Sequence, residues 1–297
     1  MEAAIRRFSD SVGDCGDEAR ELVVGDRAFR FEGLSDEHAA ALEHRWGPYL
    51  DRESGLPLDK TIHVTDADAG GWLGEPSPGE VYRVEALETP SGVLALSYAF
   101  ALGPADGGWR VALDTGSGEP PERSLENAAR ILAARTAAER GGFAMHSAGV
   151  LRGDRAWIFA GPSGAGKSTA VALSKPSVSL GDDFGVVWPA VDGWVTAPLP
   201  FDNAETIRER PSEGSFPVAG IWKLFKSDRP RVERMTGLAA AASLSSCLAL
   251  PWVLPDLSDR LLEQVEHFCR DTPFGHLHFG LEGDFWDVLV SATKGLD

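Results

Sequence analysis

The chain has 297 residues, 43% of them hydrophobic and 25% charged, enough to bury a large core in one domain or two. Its net charge of −17 and sequence pI near 4.8 disfavour general nucleic-acid binding, which wants basic surfaces. Three scattered cysteines without a CxxC, and an N-terminus without a long apolar run, lead to the expectation of a cytoplasmic protein with free thiols and no membrane span.

The first part reads as short strands. Leu22–Val24 and Ala28–Phe31 flank Gly25-Asp26 as a hairpin, and Ser35 is placed to cap a short helix running to Arg45 before Gly47-Pro48. Val81–Leu87, Thr61–Thr65, Val93–Phe100 and Trp109–Leu113 read as further strands, several alternating apolar with polar residues. The Gly/Pro-rich run from Asp114 to Arg123 marks a boundary, giving a strand-rich α+β domain over 1–121 and a second domain over 122–297. A helix is expected from Ser124 to Arg140, with Leu125, Ala128, Ile131, Leu132 and Thr136 on one face.

The strands Ser147–Leu151 and Ala156–Ala160, joined by Arg152-Gly153-Asp154, form a second hairpin, so the strand leading to Gly161 gains an antiparallel neighbour. Gly161 to Ser168, GPSGAGKS, satisfies G-x-x-x-x-G-K-[ST], a loop whose backbone N–H groups surround phosphate oxygens. In that reading Gly161, Pro162, Ser163, Gly164, Ala165, Gly166, Lys167, Ser168 and Thr169 bind ATP. Lys167 reaches the β- and γ-phosphates, and the Ser168 hydroxyl serves Mg²⁺. The following helix must end by Lys175-Pro176, and a strand Val178-Ser179-Leu180 then delivers Asp182 and Asp183 beside the loop. One carboxylate would help hold Mg²⁺ and the other accept a proton from an attacking hydroxyl, the first assignment being Asp183 for the metal and Asp182 for the proton, or the reverse.

The run His146-Ser147-Ala148-Gly149-Val150, hairpin, GPSGAGKST, short helix and Asp182-Asp183 resembles the catalytic domain of bacterial HPr kinase/phosphorylase and its relatives, which share a fold with phosphoenolpyruvate carboxykinase. The resemblance covers Leu125 to about Trp188. It implies an α/β P-loop kinase domain with a mixed sheet, and ATP- and Mg²⁺-dependent phosphorylation of a serine or other hydroxyl. It also implies Asp182 as proton acceptor, Asp183 and Ser168 at the metal, Lys167 on the phosphates and His146 beside them. The family's downstream glutamate–arginine–glycine signature is missing after Asp183, so HPr itself is not the expected substrate. A peptide, another protein or a small molecule is, and Asp202 in PFDNAE is the candidate replacement ligand. Hexamers in that family imply self-association. The alternatives are a nucleotide-sensing binding protein without phosphotransfer and a carboxykinase-like enzyme.

Past Trp188 prolines break the pattern. A strand or helix begins near Gly220–Phe225, helices are expected at Leu238–Leu248 and Ser258–Arg270, and a last one at about Asp284–Ala292. Asp183-Phe184-Gly185 spells a protein-kinase DFG, but no HRD or VAIK accompanies it. His267, Cys269, His276 and His278 could ligate zinc, yet His267 and Cys269 would face different ways on a helix. Arg208, Arg210, Lys223, Lys226 and Arg229 read as ordinary surface, the alternative being that one of them meets a phosphate.

Overall fold

A computed structural model describes residues 2–51, 53–68, 70–74, 83–201, 211–281 and 284–293. It is a mixed α/β protein with two sheets, and the chain divides into two compact units, Met1–Leu132 with Pro251–Asp256 and Ala133–Leu250 with Leu257–Asp297. The division falls inside a helix, not at the Gly/Pro-rich run before it.

The first unit begins with helix α1 (Glu2–Asp10), which the sequence reading did not anticipate; Ala4 and Phe8 are buried and Ile5 packs beside them. Strands β1 (Glu18–Val24) and β2 (Arg27–Leu34) form the expected hairpin, with Val24 opposite Arg27 across the turn. In α2 (Asp36–Trp46) the Ser35 side chain accepts from the His38 N–H at 3.1 Å, satisfying a donor the helix leaves open. The sheet continues with β3 (Leu50–Asp51), β4 (Leu58–Ala67), β5 (Glu85–Thr89), β6 (Gly92–Leu96), β7 (Phe100–Ala105) and β8 (Gly108–Asp114), in the order β3-β1-β2-β4-β8-β7-β6-β5. The single strand expected over Val93–Phe100 is two strands. The chain reverses between them, Ser97 N–H donating to the Phe100 carbonyl at 2.8 Å, because each half pairs with the other. Phe8 packs against β7 where Gly103 has no side chain; a Cβ there would stand 3.3 Å from its ring.

Helix α3 (Pro121–Glu139) buries the expected face, Leu125, Ala128, Ile131, Leu132 and Thr136 all being at most 5% exposed. The second unit holds β9 (Phe143–Met145), β10 (Ser147–Arg152), β11 (Arg155–Ala160), α4 (Lys167–Leu173), β12 (Val178–Gly181), β13 (Gly185–Ala190) and β14 (Gly193–Thr196). It continues with β15 (Phe216–Lys226), β16 (Arg231–Met235), α5 (Gly237–Ser245), α6 (Ser258–Asp271), β17 (Phe274–Phe279) and α7 (Trp286–Thr293). The strand order is β12-β10-β11-β15-β14-β13-β9, with β17 beside β15 and β16 beside β17.

β11 runs parallel to β15 and β15 parallel to β17, while β10 lies antiparallel to both β11 and β12. Four strands, β12, β11, β15 and β17, therefore point the same way and bring their C-terminal ends to one edge of the sheet. In open α/β sheets that edge is where ligands sit. Alternation sorts the residues of this sheet. Trp157, Phe159, Trp222, Leu224, Leu277 and Phe279 face one core, shared with Ala170 and Val171 of α4 and Phe285 and Trp286 at α7. Phe159 meets Phe285 edge-on at 5.7 Å between ring centres, and Trp157 meets Trp286 at 5.3 Å.

Candidate phosphate-loop site

The site grows out of the β10–β11 hairpin. Ser147 pairs with Ala160, so the chain just before β10 lies opposite the chain just after β11. There Gly161 N–H donates to the His146 carbonyl at 3.0 Å, and His146 N–H donates to the Cys247 carbonyl at 2.8 Å. His146 is thus fixed through its main chain at the start of the loop. It is also where the chain leaves β9, paired to β13 through Met145 and Gly185, for β10, paired to β12 through Gly149 and Gly181.

The loop between β11 and α4 turns through Gly164 at φ +78° and Gly166 at φ +104°, conformations costly for any residue with a Cβ. A Cβ on Gly166 would also come within 3.1 Å of the Phe279 ring. Lys167 folds back over the loop, its ammonium donating to the Gly161 carbonyl at 3.0 Å and the Pro162 carbonyl at 3.2 Å. The side chain is only 7% exposed, which a lysine tolerates when its charge is met by such acceptors and a carboxylate.

α4 is as short as the sequence demands, ending at Leu173, and β12 returns the chain to the loop. The two carboxylates then part company. Ser168 Oγ donates to Asp182 Oδ2 at 2.7 Å, whereas Asp183 Oδ1 stands 3.3 Å from Lys167 Nζ. Asp182 is buried and Asp183 partly open. The separation comes from the backbone: Asp183 adopts φ +85°, in the left-handed region, at a cost on the order of 1 kcal/mol for a residue with a Cβ. The hydrogen bond therefore places Asp182, not Asp183, beside the serine hydroxyl. Phe184, next along, packs edge-on against Phe201 at 5.6 Å and anchors the segment. Asp202, Arg208 and Arg210 lie outside the described residues.

The four residues weighed and set aside as zinc ligands do not gather as a set. His267 Nε2 meets Asp271 within α6 at 2.8 Å, and Cys269 is buried, which pushes its thiol up to about 11. Among the described residues one group of three possible metal ligands does gather, Glu233, His276 and His278, with ligand atoms within 4.8 Å of one another. The signal that could have found Glu233 is the β16–β17 pairing, which sets it opposite His276. Here the Arg231 guanidinium already engages Glu233 and meets His278 Nδ1 at 3.2 Å, so a metal would have to displace a cation. Burial, then the charge of Lys223 and the neighbouring His278, hold His276 below its ordinary pKa; burial, then Arg231, do the same for His278. The Ser243 hydroxyl completes the group with a 2.8 Å contact to His276 Nε2.

The first unit carries a separate cavity of about 380 Å³ lined by Ser97, Tyr98, Phe100, Asp114, Ser124 and Asn127. Asp114 is spoken for, accepting from the Gly71 N–H at 2.5 Å and the Gly116 N–H at 3.1 Å. Among the described residues no helix is long and apolar enough to cross a membrane. No protein-family model matches the chain, and no curated protein sequence matches it.

Proposed function

We propose that the second unit is an ATP-dependent phosphotransferase of the P-loop type, related in plan to HPr kinase, which moves the γ-phosphoryl group of ATP to a hydroxyl acceptor. The observation that carries this reading is the pairing of two carboxylates with two loop residues, Ser168 with Asp182 and Lys167 with Asp183. A structural turn needs neither pairing.

Each residue then has a distinct task. Backbone N–H groups of 161–166 take phosphate oxygens, and Lys167 exchanges its carbonyl partners for the β- and γ-phosphates. Ser168 Oγ and Asp182 Oδ2, oxygen donors 2.7 Å apart, suit a hard cation and would hold magnesium. Bound magnesium offsets negative charge on the phosphate oxygens. Asp183 is the carboxylate left over, and it accepts the proton of the acceptor hydroxyl as that oxygen attacks phosphorus. The bond from the γ-phosphorus to the β–γ bridging oxygen breaks, the bond to the acceptor oxygen forms, and ADP leaves. This order of roles reverses the one implied by family resemblance, in which Asp182 takes the proton.

Two variants separate the assignments. Asp183→Asn should bind Mg–ATP within about 3-fold of the parent and lose transfer by about 10²-fold or more, general-base removal being worth that much. Asp182→Asn should instead raise the magnesium concentration needed for half-maximal ATP binding. Mass spectrometry of peptide and small-molecule acceptors incubated with ATP reads the transfer as phosphorylated product. ATP binding with no product from any acceptor, together with a partner whose binding follows nucleotide, would replace this reading with a nucleotide sensor.

A further inference from the structure

We propose that Lys223 is a second cation of the phosphate site, binding the terminal phosphoryl group of a nucleoside triphosphate from the strand next to the loop. This rests on the triphosphate reading above. In the β11–β15 register Lys223 stands opposite Ala160, the residue directly before Gly161, so its side chain issues at the same edge of the sheet as the loop. Trp222 and Leu224 turn into the core on one face, which sends Lys223 to the other.

One contact ties its ammonium to the segment that holds the start of the loop. Lys223 Nζ donates to Ser246 Oγ at 2.7 Å, and Ser246 precedes Cys247, whose carbonyl holds His146 beside the loop. Burial pushes the thiol of the adjacent Cys247 up, and the charge of Lys223, then that of Lys167, draws it down.

Charge explains why such a residue is needed. In a chain with net charge −17, Lys223 pairs with no carboxylate among the described residues; its partners are a serine hydroxyl and the Phe225 ring, 5.9 Å from Nζ to centroid. At the loop, by contrast, Lys167 stands 3.3 Å from the Asp183 carboxylate. A triphosphate brings several negative charges with it, and Lys223, set opposite Ala160, is a cation with no carboxylate partner among the described residues. The γ-phosphoryl group is the part of the nucleotide that needs it, since the loop N–H groups already serve the others.

The test is isothermal titration of the full chain with magnesium and either ADP or a non-hydrolysable ATP analogue, comparing the parent with Lys223→Met, Lys223→Arg and Lys167→Met, each checked by thermal melt. Losing one charge-assisted contact to the terminal phosphate should weaken the analogue about 10- to 100-fold in Lys223→Met and leave ADP within about 3-fold. Lys223→Arg should recover most of the loss, and Lys167→Met should weaken both nucleotides. Equal affinity of Lys223→Met and the parent for the analogue overturns the proposal while leaving the loop reading intact, as does equal weakening of both nucleotides. A parent that binds neither nucleotide removes the loop reading and this inference together.

Discussion

The two units handle charge in opposite ways. In the first, buried ionic groups satisfy one another. Arg20 lies between Glu18 at 2.6 Å and Glu43 at 2.7 Å, Arg30 between Glu21 at 3.0 Å and Glu32 at 2.7 Å, and Glu126 between Arg45 at 2.5 Å and Arg130 at 2.7 Å. Each cluster has a nearly buried member, Arg20, Glu21 or Glu126, whose charge is met by an opposite one. In the second unit the loop gathers Lys167, Asp182 and Asp183 around two glycine turns, with Asp183 itself at positive φ. A residue held at positive φ is a mark that a candidate binding site can carry, whereas paired buried charges fix a scaffold.

This contrast predicts where substitutions hurt. The largest effect on stability belongs to the scaffold: Glu126→Ala strands two arginines and should cost about 2 kcal/mol, less than a fully buried pair because Arg45 and Arg130 keep some water contact. Urea unfolding measures it, and nucleotide affinity should not change.

Acid should weaken the units in sequence. His276 and His278 are held below their ordinary 6.5, so the unfolded chain binds more protons and the second unit loses stability as pH falls through that value. For Glu21 burial pushes upward, but hydrogen bonds from Ser54 and the Arg30 guanidinium outweigh it and leave its carboxyl below the ordinary 4.5. Its contribution is present above that value and fades only under it. Hydrogen exchange corrected for the intrinsic rate at each pH should therefore show lower protection in β16 and β17 at pH 5.5 than at pH 7.5, with protection in β1 and β2 unchanged.

The smallest effect is the most telling for the site. Asp183→Asn removes a charge but keeps a residue tolerant of the left-handed region, so stability should move by less than about 0.5 kcal/mol in either direction. A loss as large as that of Glu126→Ala would make Asp183 a scaffold residue.

How much of this was legible in the sequence follows from how local each signal is. The β10–β11 hairpin, the loop and the short α4 announce themselves through glycines, an apolar strand and a proline close behind. The β13–β14 hairpin escaped notice although Asp192-Gly193 marks its turn, because Pro189 sits inside the first strand and argues against one. β15 was read as a short segment, since Pro217 obscures its first residues. The different surroundings of Asp182 and Asp183 had no sequence signal: adjacent and chemically identical, they differ through the backbone turn at Asp183. Lys223 looked like ordinary surface until the β11–β15 register set it against the loop.

The account turns on that loop. A crystal structure with magnesium and a non-hydrolysable ATP analogue tests it most directly. The account predicts the metal about 2.1 Å from Ser168 Oγ, with Asp182 on the same ion or one water away and Asp183 turned toward the γ-phosphate. A nucleotide bound elsewhere, or a metal bound away from Ser168 and Asp182, would contradict it.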